Sequence, residues 1–233
     1  MTAPVCLVTG VGPGTGAALV RRFAAGGYRV AMLARNAERL EALAAEVPGT
    51  AAHPCDVVDV EQLRGTYERI RSAWAAPEVV IHNAVGGAFG DFQQIDPEVL
   101  RQNFEVNTMA LLQLGRLAAP DMEKAGKGAI VCTGNTSAYR GKASFAGFAP
   151  SKAAQRILAE SMARSLGPKG IHVAFVAIDA VIDLAWTRKR MPDAPDEFFC
   201  KPEDIAEECW HVAHQARSAW SFNVEIRPFG ETW

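Results

Sequence analysis

Apolar residues recur along the chain as short unbroken runs, at residues 5–8, 30–33, 79–81, 129–132, 173–178 and 224–226, with a weaker candidate at 51–55. These runs do not alternate apolar with polar. A strand exposed on one face alternates, whereas a strand covered on both faces, as in a parallel sheet, stays apolar throughout. Helical patterns lie between the runs. Residues 16–25 carry Leu19, Val20 and Phe23 and stop at Gly26-Gly27, a glycine stop. Asp59 can cap a segment that runs through Trp74. Asp96 before Pro97 sets a capping carboxylate ahead of a proline at the first helical position, and opens a long helix to about Lys124. Residues 151–166 show Ala153, Ala154, Ile157, Leu158, Met162 and Leu166 on one broad face, ended by Gly167-Pro168, and residues 202–215 form the last long helix. The order βαβαβαβαβαβ with a final αβ predicts an α/β fold. Its sheet is doubly wound and parallel, of about seven strands, with helices on both faces and ligands at the carboxyl ends of the strands.

Composition narrows the function classes. Of 233 residues, 49% are hydrophobic and 21% charged, which supports a buried core. No linker, low-complexity tract or internal repeat divides the chain, so a single domain over residues 1–233 is expected. A net charge of -2 argues against a nucleic-acid partner. No apolar run reaches the roughly 18 residues of a membrane span, and MTAPVCLVTG has no basic leader, so a cytoplasmic protein is expected. Cys6, Cys55, Cys132, Cys200 and Cys209 are scattered without a CxxC and read as reduced thiols. The histidines show no metal-ligand spacing. His211 and His214 share a helix face, read as solvated.

Thr9-Gly10-Val11-Gly12-Pro13-Gly14-Thr15-Gly16 lies between the first strand and the first helix. Glycines there let the backbone approach a diphosphate, and the helix start offers free N–H groups and a positive dipole end. The strand before and the helix after raise this weak motif. Without a Gly-Lys-Ser/Thr ending it is not a P-loop. The competing reading is a tight turn that packs helix on strand.

With these residues the chain resembles the short-chain dehydrogenase/reductase family. Its TGxxxGxG spacing matches at Thr9, Gly10, Gly14 and Gly16. The likeness continues at Asp56 in CDV, followed by Val57; at Asn83-Ala84-Val85 in HNAV, where the family has NNAG; at Asn107 in NFEVN; and at Lys152 in FAPSK, the lysine of YxxxK. The resemblance implies a Rossmann-type fold, a nicotinamide cofactor, a small-molecule substrate and a homodimer or homotetramer. It places Thr9, Gly10, Gly12, Pro13, Gly14, Thr15, Gly16, Asp56, Val57, Asn83, Ala84, Val85, Lys152 and the backbone of Val181 around the cofactor. The second strand ends at Ala34-Arg35. Ala34 stands where NAD-preferring members carry an aspartate, and the planar fork of Arg35 suits a 2′-phosphate. NADP(H) is therefore favoured over NAD(H); the alternative is a solvated arginine at a helix start.

The resemblance also implies catalytic roles that this chain fills only in part. In the family a tyrosine exchanges the proton, a lysine four residues later supports it and holds the nicotinamide ribose, and a serine thirteen residues before it binds the substrate oxygen. An asparagine on the long helix holds a water relay. Counting from Lys152 puts Phe148 at the tyrosine and Asn135 at the serine, with Asn107 as the relay residue. Phenylalanine has no proton to give. The Asn135 amide can still donate to an oxyanion. Tyr139, Ser137, Ser144, Lys152 and Asp179, which stands at the position of a family glycine, are the other candidates for the acid. The stretch at about 183–200, with Trp186, Met191, Phe198 and Phe199, falls at the family's substrate lid, and Phe229 and Trp233 at a subunit interface. Three functions are weighed: an NADP(H)-dependent oxidoreductase of a carbonyl or alcohol with an atypical site; a catalytically silent NADP(H)-binding sensor or scaffold subunit; and cofactor-assisted chemistry without net redox, such as elimination or isomerisation, for which the sequence offers no residue signature.

Overall fold

The computed structural model describes residues 3–230. In chain order its elements are β1 (Val5–Thr9), α1 (Thr15–Ala25), β2 (Arg29–Ala34), α2 (Ala37–Glu46), β3 (Thr50–Pro54), α3 (Val60–Ala73), β4 (Val79–His82), α4 (Pro97–Phe104), α5 (Ala110–Ala125), β5 (Gly128–Gly134), α6 (Ala149–Leu166), β6 (Ile171–Ile178), β7 (Val181–Ile182), α7 (Ala185–Arg190), β8 (Phe199–Cys200), α8 (Pro202–Ala213) and β9 (Asn223–Ile226). Seven strands form one sheet in the order β3-β2-β1-β4-β5-β6-β9, every pair parallel. This is the doubly wound sheet that the continuous apolar runs predict. Every residue of β1, β4 and β6 is buried, because helices cover both faces. The weak run at 51–55 becomes β3, a half-buried edge strand.

Successive side chains of a strand point to opposite faces, so the core divides in two. Cys6, Val8, Val30 and Met32 pack with residues of α1, α2 and α8; Val5, Leu7, Ala31 and Leu33 pack with residues of α3, α5 and α6. Helix starts follow their caps. Asn36, Asp59 and Asp96 side chains accept from Arg39 N (2.8 Å), Gln62 N (2.9 Å) and Glu98 N (2.8 Å).

Three features depart from the sequence reading. The helix expected from Pro97 to Lys124 is interrupted by a π turn over Glu105–Met109, a widening that turns backbone carbonyls toward side chains instead of along the helix. On α6 the buried positions are Ala149, Ser151, Lys152, Gln155, Ala159 and Leu166, while Ile157 is 58% exposed. Ile157 therefore does not share the buried face expected of it; a polar stripe is turned inward because it meets the π turn. Finally, β7 and β8 pair with each other outside the main sheet. Phe229 is almost fully exposed, and Trp233 lies outside the described residues.

Candidate active site

A parallel sheet ends all its strands on one edge. The segments after β1, β2, β3, β4, β5 and β6 therefore meet there, with the crevice between β1 and β4, where the strand order reverses. Gly10 has φ +67°, and a Cβ there would collide with the backbone of Asn83 and Ala84. A Cβ on Gly16 would lie 2.7 Å from the Gly10 carbonyl oxygen. Glycine is thus required for β1, β4 and the start of α1 to approach one another. Gly12 and the exposed Pro13 border open space. The first N–H groups of α1, at Thr15 and Gly16, have no intrahelical acceptor, and the buried Thr15 Oγ1 has no hydrogen-bond partner. Unpaired donors at a helix N-terminus suit an oxyanion such as a dinucleotide diphosphate, so the residues present fit such a group. The Leu184 side chain lies directly over Gly14.

The ends of β2 and β3 flank this turn. Arg35 is exposed and, among the described residues, has no ion-pair partner. Asp56 is half-buried; its Oδ1 accepts from Val58 N (3.2 Å), and its N–H donates to Gln62 Oε1 (2.5 Å), while Val57 is buried. After β4, Asn83 Nδ2 donates to the Gly10 carbonyl (3.0 Å), Ala84 N donates to Thr9 Oγ1 (3.3 Å), and Val85 is exposed. His82 is fully buried between Thr9 Oγ1 (3.1 Å from Nδ1) and the Val106 carbonyl (3.1 Å from Nε2). A carbonyl only accepts, so Nε2 carries the proton and Nδ1 accepts from the hydroxyl. Burial, with Lys152 nearby, pushes the His82 pKa down to about 4, so the ring is neutral.

From Asn83 a hydrogen-bonded chain runs to the π turn. Thr133 Oγ1 donates to Asn83 Oδ1 (3.0 Å), and the Thr133 carbonyl accepts from Lys152 Nζ (3.3 Å). Lys152 Nζ also donates to Gln155 Oε1 (2.6 Å), and Gln155 Nε2 donates to the Asn107 carbonyl (2.7 Å). The Asn107 side chain exchanges bonds with Gly86, accepting at 3.0 Å and donating at 2.8 Å, and donates to Ser151 Oγ at 2.9 Å. Lys152 is 2% exposed, and burial lowers its pKa to about 8. Phe148 precedes α6 at its N-cap position and is buried, its ring centroid 6.0 Å from Lys152 Nζ. It stands beside Phe89 and Phe145, at centroid distances of 6.3 and 6.5 Å. Asn135 Oδ1 accepts from Ser137 N (3.1 Å), which commits its carbonyl and leaves its Nδ2 without a partner among the described residues.

The substitute acids fare differently. Tyr139 points away, its hydroxyl donating to Asn223 Oδ1 on β9 (2.6 Å) with Arg156 over its ring. Asp179 accepts from Thr136 Oγ1 (2.5 Å) and pairs with Arg140 (3.5 Å), which anchors the turn after β5. Ser144 is exposed; Ser137 is buried beside Asn135. Val181 is half-buried in β7, and the excursion after it is closed by the β7–β8 pairing and by Arg188, which bridges Asp183 (2.7 Å) and Asp196 (2.6 Å). His214 is engaged by Tyr28 (3.0 Å) and the Trp210 carbonyl (2.7 Å). Among the described residues no cluster of metal ligands occurs. Sequence reading missed His82, Thr133, Ser151 and Gln155. The available signal for Gln155 was helical spacing, since a residue three after Lys152 shares its face.

Known proteins resemble this chain along most of its length. The profile of the short chain dehydrogenase family matches residues 4–190. The 7alpha-hydroxysteroid dehydrogenase of Escherichia coli is 28% identical over 224 residues, covering 91% of this chain and 88% of that protein. A short-chain dehydrogenase from Rhodopseudomonas palustris superposes with a TM-score of 0.83 at 32% identity, covering 97% of this chain and 99% of that one. A metagenomic short-chain oxidoreductase in complex with NADP gives a TM-score of 0.85 at 26% identity, covering 98% of each chain.

Proposed function

This chain belongs to the short-chain dehydrogenase family, and on that premise we propose that it is an NADP(H)-dependent oxidoreductase acting on a carbonyl or alcohol through a substituted active site. The observation that carries the reading is the turn after β1, where Gly10 and Gly16 allow close approach and the Thr15 hydroxyl waits unpaired at a helix N-terminus. Thr9, Gly12, Pro13 and Gly14 complete that turn. Arg35, exposed and free of ion pairs among the described residues, receives the 2′-phosphate. Asp56 and Val57 border the adenine, Asn83, Ala84 and Val85 the inner ribose, and the Val181 backbone the carboxamide. The bound nicotinamide supplies or accepts the hydride. Lys152 holds the nicotinamide ribose with the N–H that the protein leaves unpaired, Asn107 fixes the floor of the site, and Asn135 Nδ2 donates to the substrate oxygen.

Phe148 gives this site its departure from the family pattern. Its buried ring, with Phe89 and Phe145, lines an aromatic entrance suited to an apolar or ring-bearing substrate. A missing acid lowers a rate by about 10²–10⁴, so slow turnover is expected. The segment at 183–200 acts as the lid of a single domain. The five cysteines, free and buried, suit a reducing cytoplasm. Exposed Met109 and Ile157 suit a homodimer or homotetramer, and light scattering giving a monomer would refute that assembly.

NADPH consumption against a panel of carbonyls tests the main reading, with Lys152→Ala as the control. Tight NADPH binding with no turnover on any member would instead support the second reading, a silent NADP(H)-binding sensor or scaffold. The buried, proton-free ring of Phe148 is what favours that alternative.

A further inference from the structure

Lys152 is a buried cation whose surroundings are unusual in one respect: its closest partner is the side-chain amide of Gln155, 2.6 Å away and itself fully buried. We propose that Gln155 is a positioning residue that plugs the inner side of the Lys152 ammonium, fixing it against the π turn and keeping water from reaching it through the helices.

The geometry demands both ends of an amide. Facing Lys152, the group must accept, because an ammonium has only donors. Facing the Asn107 carbonyl, it must donate, and Gln155 Nε2 does so at 2.7 Å. Glutamate would meet the carbonyl with a second acceptor, and an aliphatic side chain would leave both groups unsatisfied. A water molecule has the required donor and acceptor, and differs in one property. Water passes protons readily, whereas a carboxamide would have to go through its imidic tautomer. The side chain thus satisfies the hydrogen bonds of a bridging water without its proton conduction. Asn107 is also fully buried, pinned by Gly86 and Ser151, so the route is closed beyond the glutamine as well. The titratable groups facing Lys152 are Cys132 on β5 and His82 on β4; burial pushes the thiol up and the imidazole down, so both are neutral. Both ring nitrogens of His82 are taken by Thr9 and the Val106 carbonyl, and the Cys132 thiol donates to the Thr133 carbonyl, so neither group is hydrogen-bonded to the lysine to relay a proton to it. The third N–H of Lys152 has no acceptor among the described residues, but the side chain is only 2% exposed, so exchange from the cleft side is slow as well and a breach on the Gln155 side is what would speed it. This deepens the proposed role of the lysine, but its test needs neither cofactor nor turnover.

The experiment is proton exchange of the Lys152 ammonium in the ¹⁵N-labelled full chain at mildly acid pH, the signal being assigned by its loss in Lys152→Met. Wild type should show a slowly exchanging ammonium. Gln155→Ala, which leaves room for water, should exchange about tenfold faster or more, by analogy with protected amides that become solvated. Gln155→Leu keeps water out but removes the acceptor, so exchange stays slow while the lysine titrates at lower pH. Wild-type exchange as fast as that of surface lysines would overturn the proposal. So would a leucine variant that exchanges as fast as the alanine one, or that titrates as wild type does. Should Gln155→Ala fail to fold, the wild-type rate and the leucine titration still decide.

Discussion

Individual side chains in this site do work that their neighbours in sequence do not announce. Asn135 commits its carbonyl to the turn after β5 and leaves its Nδ2 without a partner among the described residues, so in the proposed function the atom it offers to a substrate oxygen is a donor. Phe148 contributes shape and no proton. If those two residues silence an otherwise competent site, Phe148→Tyr combined with Asn135→Ser should raise carbonyl-dependent NADPH oxidation by roughly 10²-fold. No gain, in a variant that still binds NADPH, would count against the placement of both residues. At the other end of the cofactor, Arg35→Ala should weaken NADPH by roughly tenfold to a hundredfold, the worth of a charge-assisted hydrogen bond, and leave NADH nearly unchanged. Fluorescence titration with both nucleotides measures this; equal losses would refute the 2′-phosphate contact.

Elements set where those side chains stand. The turn between β1 and α1 works because Gly10 occupies a left-handed conformation against the backbone of Asn83 and Ala84. Gly10→Ala combines that strain with a clash, and should destabilise the fold on the order of 2–4 kcal/mol, read by urea unfolding. An unchanged midpoint would mean that β1 and β4 are not held so close. The turn was legible as a motif because its glycines sit between a strand and a helix. The π turn was not. Its five residues carry no periodicity that separates them from the flanking helices, and the carbonyls of Val106 and Asn107 gain their purpose only from His82 and Gln155, distant in sequence. The face of α6 was misjudged for a related reason. Its inward stripe of Ser151, Lys152 and Gln155 is polar, so hydrophobic periodicity pointed elsewhere on the helix.

Across the whole molecule, burial of neutral histidine ties the site to stability. His82 titrates near pH 4 in the folded chain and near 6.5 when unfolded. Between those values the unfolded state binds the proton and the folded state does not, so stability falls as pH drops from 6.5 to 4 and is fully present above 6.5. The contribution is on the order of 3 kcal/mol. Burial also lowers His53 and His172, which act with the same sign. Urea unfolding across this range should show the decline, and His82→Asn should flatten part of it. A slope unchanged in that variant would show that other groups account for the acid loss.

Local physics along the chain determined the strands, most of the helices and the glycine-rich turn after β1, because continuous apolar runs, capping residues and glycine spacing act between near neighbours. Lys152, Asn107 and Asn135 became candidates only through the resemblance to a known family, whose motifs and intervals they match. Only the folded arrangement decided what these residues touch. The chain from Gly10 through Asn83, Thr133, Lys152 and Gln155 to Asn107 is made of bonds between residues up to 73 positions apart. Such contacts depend on distance in space, which the order of the residues does not contain.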